Sequence, residues 1–321
     1  MRFPPWLERW LSPAARAFLQ EARRTPGYSL LDLLHGYVYT RWPYLYIGIG
    51  TGEHPLARLL GPLARGLSRL LPARSPCGSG RLSLADTYHG KVVPLEAATQ
   101  LVTVGEEVCL PDLERVIPYA RARDIILKNP DHIAVIDCPC RVARADPCLP
   151  LDVCLVIGEP FASLLVEYHP RRARRITAEE AVAILRAEEE RGHVHHAFFK
   201  DAMLDRFYAI CNCCACCCGA MQAHQRGTPM LASSGYVSRV DPDRCVGCGL
   251  CADLCPFGAL AVRGGLAVVD VAACMGCGVC VSHCPNEALR LVREPARPEP
   301  LEIQRLLADR GLELPSPPRR L

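Results

Sequence analysis

The sequence lacks the long apolar segments that membrane-spanning and exported proteins carry. No run of about 18 apolar residues occurs, so no transmembrane helix is predicted. Near the start of the chain, Glu8 and Arg9 interrupt the apolar residues, so no signal-peptide core forms. We therefore expect a protein that is neither exported by such a signal nor inserted in a membrane.

Lysine is scarce, and neither sign of charge dominates. Three of the 37 basic residues are lysine, and 34 acidic residues leave a formal net charge of +3. A nucleic-acid-binding face needs concentrated basic residues, so this near balance argues against nucleic-acid binding. Residues 44–52 predict a strand followed by glycines. The dinucleotide-binding pattern begins there with Gly48 and Gly50, but it fails at Glu53, and no Walker motif occurs.

Cysteine, in contrast, is abundant, with 20 residues. In an unexported chain, so many cysteines indicate metal binding or redox chemistry. Free thiols need a reducing compartment, so we expect a cytoplasmic location. Eight cysteines lie between residues 245 and 284, ten lie between 138 and 218, and Cys77 and Cys109 are isolated.

The eight C-terminal cysteines belong to an internal repeat. Residues 240–260 and 269–289 are related by a shift of 29 positions, and both contain the pattern C-x2-C-x2-C-x3-C-P. Bacterial ferredoxins have this spacing. Structural zinc sites usually combine two CxxC pairs across a longer gap, so the repeat favours iron–sulfur clusters over zinc.

Over residues 237–292 the chain resembles the bacterial ferredoxins that carry two [4Fe-4S] clusters. The resemblance implies that the fourth cysteine of each repeat binds the cluster of the other repeat. The implied ligands of one cluster are Cys245, Cys248, Cys251 and Cys284, and those of the other are Cys274, Cys277, Cys280 and Cys255. It also implies that the module transfers single electrons to or from a redox partner protein.

In the middle region, a strand predicted at residues 131–138 leads into the first cysteines, and a strand predicted at residues 152–158 contains Cys154. A helix is predicted after them, with a cap at Thr177 and an end at Gly192. The candidate metal ligands are Cys138, Cys140, Cys148, Cys154, Cys211, Cys213, Cys214, Cys216, Cys217 and Cys218. If residues 211–218 were helical, the last six would divide between two helix faces. An extended start would instead place Cys211 and Cys213 on one side.

Three interpretations of these ten cysteines stay open: one or two further iron–sulfur clusters, a structural or storage zinc site, or reactive thiols. The region is similar to the front module of poorly characterised ferredoxin-like proteins of anaerobes, which implies metal binding but no reaction. Arg141 either compensates cluster charge or lies on the surface. His193, His195 and His196 are weaker ligand candidates, because thiols are plentiful.

Other segments allow only local predictions. Residues 55–74 predict a basic amphipathic helix, which packs on its own domain or a partner subunit, or else lies on a membrane surface. A helix is predicted from Pro118 to Asn129, and a short one within residues 301–310 of the tail.

The predicted fold is an α+β or α/β front domain followed by a ferredoxin-like module. The predicted order is a helical segment (1–80), a cysteine-rich domain (81–225), a linker (226–236), the ferredoxin module (237–292) and a tail (293–321). The predicted function is iron–sulfur electron transfer through two [4Fe-4S] clusters and a further cluster in the front domain. The alternatives are an oxidoreductase whose catalytic centre is the front cysteine group, and a front domain that binds zinc.

Overall fold

An eight-stranded sheet forms the centre of the front domain in the computed structural model, which describes residues 11–57 and 84–312. Its strands are β1 (Tyr88–Val92), β2 (Val108–Leu110), β3 (Ile125–Asp137), β4 (Asp152–Glu159), β5 (Ala173–Ile176), β6 (Val194–Lys200), β7 (Arg206–Cys213) and β8 (Leu231–Ala232). The order is β2-β3-β4-β7-β6-β1-β8, with β5 also paired to β3. The β1–β8 pair is parallel, whereas the other pairs of named strands are antiparallel. This mixed sheet gives the front domain α+β character.

Helices cover both faces of the sheet. The helices of the front domain and tail are α1 (Pro13–Arg24), α2 (Leu30–Arg41), α3 (Pro43–Thr51), α4 (Leu84–Thr87), α5 (Leu95–Val102), α6 (Pro139–Val142), α7 (Phe161–Tyr168), α8 (Ala178–Glu190), α9 (Gly219–Gln225) and, after the ferredoxin module, α12 (Ile303–Ala308). Side chains alternate across a strand, so Phe198 packs in one apolar cluster with α1 and α7. Its neighbour Phe199 packs in a second cluster with α5, α8 and α12.

The predicted strands at 131–138 and 152–158 are confirmed as parts of β3 and β4, and the predicted capped helix is confirmed as α8. The Thr177 side chain accepts a hydrogen bond from the Glu180 amide at 3.2 Å, which satisfies one of the free amides at the helix start. Gly192, with φ +75°, turns the chain after α8 toward β6.

Two predictions of secondary structure are wrong. Residues 44–52, expected as a strand, lie in helix α3, which Pro43 starts and Gly52 ends with φ +83°. The helix expected from Pro118 to Asn129 is absent, because that stretch leads into β3, where Ile125 and Leu127 pair with β2. The β-branched isoleucines of this stretch favour the sheet once neighbouring strands are available.

The ferredoxin module consists of two antiparallel strand pairs and two short helices. Its elements are β9 (Tyr236–Val240), α10 (Leu250–Leu254), β10 (Leu260–Arg263), β11 (Leu266–Val269), α11 (Val279–Ser282) and β12 (Leu289–Arg293). β9 pairs with β12, and β10 pairs with β11. The segment predicted as a linker, 226–236, contains β8, which is hydrogen-bonded to β1 of the front sheet.

The tail returns to the front domain. The predicted tail helix is confirmed as α12, and Leu301, Ile303 and Leu307 are buried in the front core. The basic helix predicted at 55–74 falls, from residue 58 onward, outside the described residues, as does Cys77. In the part of the chain that the structure describes, no helix is long and apolar enough to cross a membrane.

Candidate metal centres

Two small cavities in the ferredoxin module are lined by the two predicted ligand sets. One, of about 20 Å³, is lined by Cys245, Cys248, Cys251 and Cys284, which we call the exposed site. The other, also about 20 Å³, is lined by Cys255, Cys274, Cys277 and Cys280, which we call the buried site. Each cavity therefore takes three cysteines from one repeat and the fourth from the other, as the resemblance implies.

Glycines allow the cysteine loops to lie directly against neighbouring backbone. A Cβ atom on Gly276, which has φ +65°, would be 2.2 Å from the Tyr236 carbonyl oxygen. In the first repeat, a Cβ atom on Gly247, which has φ +64°, would be equally close to the Gly265 carbonyl oxygen. Only glycine combines this backbone conformation with so close an approach. The repeated glycines thus shape the two cavities.

The cysteine sulfurs of both sites accept backbone hydrogen bonds, as cluster thiolates do. At the buried site, the amides of Ser238 and Ala259 donate to Cys274 Sγ and Cys255 Sγ at 3.5 and 3.2 Å. At the exposed site, Ala267 and Ala288 donate to Cys245 and Cys284 at 3.4 and 3.3 Å. Such donors stabilise anionic sulfur and influence the potential of a cluster. The residues present therefore fit two [4Fe-4S] clusters.

The two sites differ in exposure to solvent. At the exposed site, Cys248 is open to solvent and Cys245 and Cys284 are partly exposed, although Cys251 is buried. At the buried site, Cys274, Cys277 and Cys280 are each no more than 9 % exposed, and Cys255 is partly exposed. Burial raises the pKa of Cys280 to about 11 in the free thiol. The module thus has one face toward solvent and one toward the rest of the protein.

The ten front cysteines separate into two groups in the structure. The four-thiol group consists of Cys148, Cys214, Cys216 and Cys217, whose sulfurs all lie within 4.8 Å of one another. The six-thiol group consists of Cys138, Cys140, Cys154, Cys211, Cys213 and Cys218. Each group combines cysteines of the earlier loop with cysteines of the later one, and none of these thiols is in a disulfide.

The four-thiol group is compact and partly open to solvent. Cys148 Sγ lies 3.1 Å from Cys216 Sγ, which lies 3.7 Å from Cys217 Sγ. Partial burial opposes ionisation of Cys216, but hydrogen bonds from the Cys148, Cys217 and Cys214 thiols outweigh it and lower the pKa of Cys216. Four sulfurs this close, with one thiol inclined to ionise, form a group that could hold a metal ion.

The six-thiol group surrounds a cavity of about 70 Å³, which Cys214 and Cys217 also reach. The prediction of an extended start to residues 211–218 is confirmed. Strand β7 continues to Cys213, so Cys211 and Cys213 share one side. The neighbouring Cys140 thiol, together with burial, raises the pKa of Cys138 to about 12. The pKa values of Cys140, Cys154, Cys213 and Cys218 are also raised, so a metal that binds these thiols would have to displace their protons.

Three tyrosines form another wall of this cavity. Tyr39, Tyr88 and Tyr208 line it, and the Tyr39 and Tyr208 hydroxyl oxygens are 2.7 Å apart. Behind them, Lys200 is buried with its Nζ 4.6 Å from the ring centroid of Tyr88 and 4.9 Å from that of Tyr39. Sequence analysis missed this wall, because the tyrosines come from helix α2 and strands β1 and β7.

Arg141 is buried, so its interpretation as a surface residue is wrong. Its guanidinium donates to the Glu188 carboxylate at 2.6 Å and to the Asn212 carbonyl at 3.1 Å. It also donates to the Pro150 carbonyl. The Glu188 carboxylate more than offsets burial and raises the pKa of Arg141. Arg141 thus ties the loop that carries Cys138 and Cys140 to the cysteine strand β7.

The three candidate histidines have different surroundings. His193 Nδ1 lies 2.7 Å from the Glu188 carboxylate, and His195 bonds both Asn212 Oδ1 at 2.6 Å and Glu189 at 3.1 Å. His196 is fully buried, and within the described residues its ring nitrogens have no hydrogen-bond partner within 3.5 Å. Two of the three are thus committed to the buried acids of α8.

The ferredoxin module is attached to the front domain close to these residues. Glu189, which bonds His195, also accepts a hydrogen bond from Ser282 Oγ of α11 at 2.8 Å. His283 Nε2 and the Glu190 carbonyl oxygen lie 3.1 Å apart. Met275, Cys277 and Val279 belong to the same apolar cluster as the front cysteines. The buried site is therefore the half of the module that faces the front domain.

Comparison with protein families matches residues 238–285 to a 4Fe-4S dicluster domain. The match and the two cavities together support a ferredoxin-type iron–sulfur module at the C-terminal end of the described chain. No curated protein matches the sequence. The interpretation of the front domain therefore depends on its own residues.

Proposed function

We propose that this protein transfers single electrons between a redox partner protein and a metal centre in its own front domain. The support for this proposal is the placement of the two ferredoxin sites, one open to solvent at Cys248 and one packed against the front domain. The exposed site lies at the surface, the buried site lies behind it, and the front cysteines follow in the same apolar cluster.

The partner would bind around the exposed site. Cys248 is open to solvent, and Val246 and Leu250 beside it are 68 % and 40 % exposed. Apolar side chains around an exposed redox centre suit a transient contact with another protein. A partner of this kind would bring its own redox group near Cys248.

The continuity between the buried site and the front core carries the proposal. Cys277 is 9 % exposed and shares one apolar cluster with Cys138, Cys213 and Cys218. A [4Fe-4S] cluster, when bound, accepts or donates one electron at a time. The cysteines hold such clusters, and the amides of Ser238 and Ala259 stabilise the anionic sulfurs. An electron delivered at the exposed site would thus leave toward the front domain.

The alternative function is an oxidoreductase whose catalytic centre is in the front domain. One observation favours it: the thiol-lined cavity has a wall of tyrosines, and Tyr39 and Tyr208 bring two hydroxyls together. A cavity with hydroxyl groups beside a metal centre suits a small bound molecule. In that case the ferredoxin module would supply the electrons of the reaction.

Zinc is the alternative for the four-thiol group alone. With zinc–sulfur bonds of about 2.3 Å, a tetrahedral ion separates its sulfurs by about 3.8 Å. The sulfurs of this group, all within 4.8 Å of one another, match that separation.

Reductive titration of the anaerobically purified protein tests the relay. We would compare the wild type with Cys245→Ser at the exposed site and Cys274→Ser at the buried site, following each cluster by electron paramagnetic resonance. Each variant should lose the signal of one cluster, and both should slow reduction of the front domain by a soluble protein donor. Front-domain reduction at the wild-type rate in both variants would contradict the relay.

A further inference from the structure

Six of the ten front cysteines meet at one place although they come from separate elements. Cys154 of β4 stands directly opposite Cys211 of β7 in the antiparallel register. Cys138 and Cys140 enter from the turn after β3, and Cys218 lies just before α9. Side chains opposite one another in such a pair have Cβ atoms about 5 Å apart. The sheet itself therefore builds this site.

The six thiols interact side by side in a continuous series. Cys154 interacts with Cys211 and Cys138, and Cys138 in turn interacts with Cys140. Cys140 then interacts with Cys218, which interacts with Cys213. Each thiol in this series thus has other members of the six-thiol group as its neighbours.

This arrangement differs from that of ordinary buried cysteines. A single buried cysteine behaves as a small apolar side chain, but six around one cavity exceed any packing requirement. One tetrahedral ion takes four thiolates, so six thiols provide for more than one metal ion. Thiolates select zinc, copper(I) and iron–sulfur clusters. Among these, iron–sulfur suits a position at the end of an electron relay.

We propose that the six-thiol group is a polynuclear iron–sulfur site, separate from the four-thiol group, with the Tyr39, Tyr88 and Tyr208 wall beside it. This proposal deepens the proposed function by naming the residues of the front-domain electron acceptor. Each thiol that binds iron releases one proton. The four-thiol group, which is compact and partly exposed, would take a single ion instead.

Metal analysis of matched variants tests the separation of the two groups. Cys154→Ser and Cys213→Ser change the six-thiol group, Cys216→Ser changes the four-thiol group, and Cys109→Ser changes an isolated, exposed cysteine as the control. Each purified protein would be analysed anaerobically for iron, sulfide, zinc and copper, together with its Mössbauer spectrum.

The wild type should contain at least about four irons beyond the eight of two [4Fe-4S] clusters. Cys154→Ser and Cys213→Ser should lose that additional iron, while Cys216→Ser and Cys109→Ser retain it. The paramagnetic signals of the reduced ferredoxin module should persist in all four variants and report that it stays folded.

Three results would overturn the inference. They are a wild type with about eight irons, a front domain that contains only zinc or copper, and loss of the same metal from variants of both groups. The wild-type count decides the question even if a variant does not fold. An iron count of about eight with both ferredoxin signals present would refute this inference alone. Loss of the ferredoxin signals from the wild type would instead refute the proposed relay.

Discussion

At the scale of single residues, Gly276 tests how tightly the cysteine loop of the buried site is built. Gly276→Ala should destabilise the protein by about 3 kcal/mol, because the new Cβ would approach the Tyr236 carbonyl oxygen to 2.2 Å. Chemical unfolding of the reduced, iron-loaded protein measures the loss. Iron content should fall in parallel, since the loop holds cysteine ligands.

Gly258→Ala is the matched control for this prediction. Gly258 has φ +62°, close to that of Gly276, but a Cβ there meets nothing within 4 Å. Gly258→Ala should therefore lower the free energy of unfolding only by the cost of placing alanine in the left-handed backbone conformation, about 1–2 kcal/mol. Equal losses in the two variants would show that the contact with Tyr236 is unimportant.

Lys91 gives a prediction for the dependence of stability on pH. Burial, and after it the Arg293 guanidinium, lower the pKa of Lys91 from 10.5 to about 7, against the opposite effect of Glu299. Between these values the unfolded chain holds a proton that the folded chain has lost, so this lysine's contribution to stability rises with pH. Lys91→Met should remove that rise.

The free energy of unfolding of wild type and Lys91→Met, measured from pH 6.5 to 10, tests this expectation. The wild type should gain stability relative to the variant as the pH increases from about 7. Lys91 Nζ also donates a hydrogen bond to the Glu299 carbonyl at 2.8 Å, which anchors the tail. Lys91→Met removes this hydrogen bond as well. Parallel pH profiles would refute the account of Lys91.

At the scale of elements, the sequence predicted best what depends on local spacing. The resemblance carried by two short repeats implies the ferredoxin ligand sets, and in the structure each set lines one cavity. The two front groups were not predictable in this way. Their membership depends on the β4–β7 register, which places Cys154 opposite Cys211 although 57 positions separate them (211 − 154).

Both errors in secondary structure came from judging a segment by its own residue preferences in isolation. Helix α3 was mistaken for a strand because its aromatic and β-branched residues favour strands in isolation, whereas Pro43 and Gly52 set its ends. Residues after Pro118 were expected as a helix, but β2 and β4 recruit them into the sheet. Local helix-end residues decided the first case, whereas non-local strand pairing decided the second.

The contact between α8 and α11 carries a prediction of its own. Glu189 is buried, accepts a hydrogen bond from Ser282 and interacts with His195 of β6. Glu189→Gln should destabilise the protein by about 2 kcal/mol, because hydrogen bonds to a charged group are lost. It should also slow electron transfer from the buried site to the front domain.

Glu190→Gln is the control, since the neighbouring Glu190 side chain is exposed and His283 contacts only its backbone carbonyl. This substitution removes the same charge from the same helix end, and its effect should stay within about 0.5 kcal/mol. If both variants transferred electrons at the wild-type rate, the α8–α11 contact would have no part in the relay.

At the scale of the whole molecule, the ferredoxin module presents one site to solvent and packs the other against the front domain. The exposed site meets solvent at Cys248, the buried site is covered by the front domain, and the six-thiol group surrounds a cavity in the front domain. An apolar cluster that the module shares with the front domain, and the tail that returns to the front core, both attach the ferredoxin module to the front domain. The ferredoxin-type module is thus packed against the front domain, in the position that the proposed relay requires.

The most direct measurement is the number of irons and electrons that the anaerobically purified protein contains. The account predicts at least about eight irons per chain and, on full reduction, two electrons in the ferredoxin module with the magnetic signals of two [4Fe-4S] clusters. Intact protein with about four irons or fewer, or with no cluster signal after reduction, would contradict it.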